Sequence, residues 1–121
     1  MKVQRFKIPL YGMKVTFVEV ESKEDAEPVA QICKSVNATP EDAARIRNTI
    51  ANDSVDGGET FRNFDLGQIL CVIYRCTNER SRRNTINHEK RHIEDRTLEW
   101  MNVNDVESAA MLAGWLSERI Y

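Results

Sequence analysis

The chain has two histidines, and both fall in one run, His88-Glu89-Lys90-Arg91-His92. On an α-helix, residues four apart project from the same face, so the two imidazoles can share one metal ion while the intervening glutamate reaches a water that the ion activates. The chemistry such a set supports is zinc-dependent hydrolysis. A catalytic zinc usually takes three protein ligands and keeps one position open. With no third histidine in the sequence, a carboxylate is expected to complete the set. Asp95 stands three positions after His92 on the same helical face, where it reads first as an acid orienting an imidazole or as a solvated side chain, and last as a ligand. The competing reading of the whole run is a charge-rich surface helix whose histidines merely lie one turn apart.

The elements around the run decide whether it can work. Asn84 or Thr85 can cap a helix that carries the histidines to about Leu98. Before it, Thr77 to Arg83 reads as a polar connection, and before that Gln68-Ile69-Leu70-Cys71-Val72-Ile73-Tyr74-Arg75 is the most apolar run, short and β-branched, and predicts the principal strand. After it, Asn102 to Asp105 breaks the helix, and Val106, Ala109, Ala110, Leu112, Ala113, Leu116 and Ile120 give a last helix its apolar face. The N-terminal half predicts a strand over Lys14–Val20 with a partner in residues 2–10, a helix begun by Ser22 and Asp25, and a second from Pro40 to about Ala51. Thr39 suits that helix's N-cap, Pro40 its first position, and Glu41 and Asp42 its positive end. Asn52 to Gly58 is turn composition, followed by a short strand over residues 60–64 and a turn at Asp65-Leu66-Gly67.

With its apolar strand at Ile69–Tyr74, the run Thr85 to His92 and the glutamate-led, alanine-containing helix from Glu107 to Ala113, the C-terminal half resembles the gluzincins, and among them the small H-E-x-x-H peptidases of the ImmA/IrrE type. The resemblance implies an α+β fold, a zincin-like domain over residues 1–121 with a small mixed or antiparallel sheet. It also implies Zn2+ held by His88, His92 and Glu107, with Glu89 as general base. In that family an extended peptide or protein substrate pairs with a strand edge, here expected at Gln68–Tyr74. Lys90 and Arg91 replace residues that are usually uncharged, and the interval from His92 to Glu107 is short for a gluzincin. Asp95, Glu99, Asp105 and Glu118 therefore stay open as the third ligand. Tyr74, Tyr121 and Arg75 are assigned no catalytic part.

Bulk properties bound the remaining choices. A chain of 121 residues, 41% hydrophobic and 30% charged, suits one folded domain. Cys33, Cys71 and Cys76 form an odd set without metal-binding spacing, which fits a reducing cytoplasm. The N-terminus lacks the apolar core of a cleaved signal, and no stretch approaches the roughly 20 apolar residues of a membrane span. Residues 75–96 hold seven basic side chains against four acids, so a nucleic-acid-binding or protein-interaction module is the alternative function, beside a zincin that has lost activity. No aromatic residue interrupts that stretch after Arg75, and the net charge is −2, so nucleic acid is the weaker partner. Nothing in the sequence fixes an oligomeric state.

Overall fold

The computed structural model describes residues 1–9, 11–103 and 105–121, together with the backbone alone at Phe64. Leu10, where the expected first strand would end, and Asn104, within the expected helix break, lie outside the described residues. In chain order the elements are β1 (Lys2–Lys7), β2 (Lys14–Glu19), α1 (Ala26–Ser35), α2 (Pro40–Ala51), β3 (Gly58–Asn63), β4 (Gln68–Ile73), α3 (Glu79–Trp100) and α4 (Val106–Arg119). The fold is α+β, with a mixed four-stranded sheet in the order β1-β2-β4-β3.

Alternation along the strands builds a core on each face, because successive side chains of a strand point to opposite sides. Ile69, Cys71 and Ile73 of β4 join Val15 and Phe17 of β2 under α3 and α4, where Ile86, Ile93, Leu112 and Leu116 close over them. Leu70, Val72 and Tyr74 face the other way, onto Val29 and Cys33 of α1 and Ala43, Ile46 and Ile50 of α2. The apolar run of β4 is continuous because both of its faces are covered.

Strand pairing corrects one expectation. β4 is parallel to β2 and antiparallel to β3, so it has a neighbour on each side and offers no free edge for a substrate. The edges belong to β1 and β3. Local pattern shows that a strand is buried, but not which strands flank it.

Helix boundaries mostly follow the capping chemistry. Thr39 Oγ1 accepts from the Asp42 amide at 3.1 Å, and Pro40 begins α2. The start of α3 differs. Asn78, rather than Asn84 or Thr85, is its N-cap, accepting from the Ser81 amide at 2.8 Å, so most of the segment expected as a connection forms the first turn of the helix and part of the next. Arg82 holds those turns to the sheet through Glu19 at 2.7 Å. At its other end α3 docks Trp100 on Gly67, where φ is +59° and an added Cβ would stand 3.0 Å from the indole. A side chain at residue 67 would therefore be strained and would also displace the ring.

Candidate metal centre

The reason His88 and His92 share a face is the uninterrupted helix of α3. Their Nε2 atoms lie 3.2 Å apart, with ring centroids 4.8 Å apart and planes at 85°. His88 is exposed and His92 half-buried. Glu89, between them, is only 3% exposed, and one of its carboxylate oxygens lies within 4.8 Å of both imidazole nitrogens. Among the described residues these three form the one group placed closely enough to hold a metal ion.

Glu89 points across to β3, the edge strand. Thr60 Oγ1 donates to its Oε2 at 2.5 Å. Gly58 lies against the stem: a Cβ there would stand 3.0 Å from Glu89 Cγ, 3.0 Å from the Val72 carbonyl oxygen and 3.1 Å from Ile73 Cδ1. Only the missing side chain lets the glutamate approach β3 this closely. Neither Gly58 nor Thr60 was singled out by the sequence. Gly57-Gly58 reads as turn composition, and the one available signal was a glycine at the start of a strand.

A cleft of about 390 Å³ opens beside the group, with Gly57, Gly58, Asn84, Thr85, His88 and Glu89 among its lining residues. At its far end Asp56 accepts from the Thr77 amide at 2.8 Å and from the Thr77 hydroxyl at 2.9 Å. The Thr77 amide, followed by the hydroxyls of Ser81 and Thr77, holds the Asp56 carboxyl below its usual range. This wall of the cleft is therefore anionic and built from polar groups.

The structure does not bring Glu107 to the histidines. Lys90 Nζ stands 3.5 Å from Ser117 Oγ, so α4 meets α3 on the side that carries Lys90. Two residues on a helix turn about 200°, which puts that side nearly opposite His88 and His92. The contact of Trp115 with Phe6, 5.7 Å between ring centroids, places α4 over β1, whereas the histidines face outward past β3. Glu107 sits exposed in the first turn of α4, and Glu118 lies on the same helix. The alternatives fare no better. Asp105 uses its carboxylate to cap α4, accepting from the Glu107 and Ser108 amides at 3.1 and 3.3 Å. Glu99 pairs with Arg96 at 3.2 Å, and Asp95, although on the histidine face, stands outside the close group.

The histidine pair fits a zinc ion by its own geometry. Two nitrogens at about 2.0–2.1 Å from a tetrahedral zinc are separated by about 3.3 Å, and the observed separation is 3.2 Å. The same contact is also compatible with a hydrogen bond between the rings, one acting as donor and the other as acceptor. Nitrogen donors with an adjacent carboxylate suit zinc among several first-row metals.

The basic stretch is thinned by pairing. Arg75 is held by Asp53 at 2.9 Å, Arg82 by Glu19 at 2.7 Å and Arg96 by Glu99 at 3.2 Å. The fold and the site together define an α+β protein with a candidate His-Glu-His metal centre on one helix. No protein-family model matches the chain, and neither does any curated protein or solved structure.

Proposed function

We propose that the chain is a zinc-dependent metallopeptidase. The observation that carries this reading is the pair of imidazole nitrogens set at a zinc-ligand separation beside a buried carboxylate. His88 and His92 would hold the ion. Zinc supplies Lewis acidity there, polarising a carbonyl and lowering the pKa of a water toward about 7. Glu89, tethered by Thr60 through Oε2, would use its second oxygen to take a proton from a water and return it to the leaving nitrogen.

The edge strand beside the site supports a peptide as substrate. The Tyr74 amide donates to the Gly57 carbonyl at 2.8 Å, so Gly57 faces β4. In an antiparallel pair such residues alternate, which turns the backbone groups of Gly58, Thr60 and Arg62 away from β4 and toward the open edge. An extended chain adding there would lie alongside the histidines, gaining main-chain hydrogen bonds with little demand on side chains. Among the described residues no helix is long and apolar enough to cross a membrane. The three cysteines are unpaired, and on that ground we place the protein in the cytoplasm.

The test combines metal titration with hydrolysis. The protein should take up zinc at one ion per chain, His88→Ala should lose it, and Glu89→Gln should retain zinc while losing cleavage of an unfolded protein substrate. Cleavage by the Glu89→Gln variant at the unmodified rate would exclude Glu89 as the base.

A further inference from the structure

We infer that Thr60 is a positioning residue: its hydroxyl holds the Glu89 carboxylate away from the metal, so that this group stays a base and does not become a ligand. The inference rests on the metal-centre reading and concerns what that reading leaves open. A carboxylate oxygen within 4.8 Å of both imidazole nitrogens is near enough to swing onto an ion held between them, and no other carboxylate among the described residues belongs to the close group. Left to itself, a buried anion moves toward the nearest positive charge. In this protein Glu89 is 3% exposed, so water offers it little competition.

Two residues of β3 act against that movement. Thr60 faces α3 because side chains alternate along the strand, with Glu59 and Phe61 turned to the α2 side, where Arg45 meets both of them. Its hydroxyl has one proton to give, and Glu89 Oε2 receives it at 2.5 Å. The buried Cys71 thiol also lies beside the Thr60 hydroxyl, and a charged acceptor is the stronger partner for that proton. Gly58 supplies the second restraint, since the closeness of Glu89 Cγ to residue 58 seats the glutamate stem against the strand. The strand that would receive a peptide thus also fixes the base that would act on it.

Cobalt(II) in place of zinc reads the coordination directly, because its visible absorption depends on the number and kind of its ligands. Three outcomes are expected on adding Co2+ alone to the full chain. Thr60→Val should change the visible bands and tighten cobalt binding about tenfold, within the range over which groups behind a metal site shift its affinity. Thr60→Ser, which keeps the hydroxyl, should restore the unmodified spectrum. In a Glu89→Gln background Thr60→Val should change neither spectrum nor affinity, while Glu89→Gln alone should bind cobalt as the unmodified protein does. Thr60→Ala replaces the valine variant should that one not fold. An unchanged or weakened affinity in the Thr60→Val protein with its spectrum unaltered would overturn the inference. Loss of cobalt on Glu89→Gln alone would also overturn it, by making Glu89 a ligand. Failure of the unmodified protein to bind cobalt would instead remove the metal-centre reading itself.

Discussion

Whether a third protein ligand exists turns on one side chain's place around a helix. His88 and His92 face past β3, while α4, which carries Glu107 in its first turn, packs on the far side of α3, where Lys90 reaches Ser117 at 3.5 Å. Glu107→Ala should therefore leave zinc affinity within about twofold of the unmodified protein. His88→Ala or His92→Ala should lower it by more than about 100-fold, beyond what is usual for residues behind a metal site. Isothermal titration of the three variants decides it, and a large loss in Glu107→Ala would restore that residue to the site. The closeness of His88, Glu89 and His92 was legible because it depends on spacing within one helix. The place of Glu107 outside that group was not, because it depends on where α4 crosses, and the Thr60 contact with Glu89 was not, because it depends on which strand lies beside α3.

Caps link the local chemistry to the elements that hold the site. Asn78 fixes the first turn of α3 through the Ser81 amide, and Arg82, in the next turn, ties the helix to Glu19. Asn78→Ala should cost about 1 kcal/mol of stability, the usual value for a lost N-cap, as measured by urea denaturation. A change below about 0.3 kcal/mol would mean that the cap is satisfied by solvent alone, well short of the typical loss. The sequence hid this start because the first turns of α3 are dense in arginine and polar residues. They carry no apolar period, although arginine is a good helix former.

Acid should loosen the opposite end of the helical pair. Asp105 is held below its usual carboxyl range, first by the Ser108 hydroxyl and then by the Glu107 and Ser108 amides. A folded-state value depressed below the unfolded one, about 3.9, contributes stability at higher pH. That contribution is lost as pH falls through the folded value. Thermal midpoints followed from pH 6 to pH 2 should fall more steeply for the unmodified protein than for Asp105→Asn, whose cap cannot titrate. Parallel curves would show that the cap adds nothing to the acid dependence.

At the scale of the molecule, one sheet separates two cores that different helix pairs close. Ile93 of α3 is fully buried on the face covered by α3 and α4, and Ile46 of α2 is fully buried on the other. The helical spacing of apolar residues in α4 and their unbroken run along β4 were legible. The order β1-β2-β4-β3 was not, since parallel pairing of β2 with β4 joins segments separated by two helices and a strand. That order makes β4 a member of both cores, with Ile69, Cys71 and Ile73 on one face and Leu70, Val72 and Tyr74 on the other. Loss of packing on either side should therefore be felt by the whole sheet. Ile93→Ala and Ile46→Ala should each destabilise by about 2–5 kcal/mol, the range for truncating a buried isoleucine. Each should also shift a single urea transition to a lower midpoint with its slope unchanged, as expected when the surface exposed on unfolding stays the same. Two separated transitions in either variant, followed by tryptophan fluorescence for Trp100 and Trp115 and by circular dichroism for the helices, would show that the faces unfold independently and that β4 does not couple α3 to the rest of the fold.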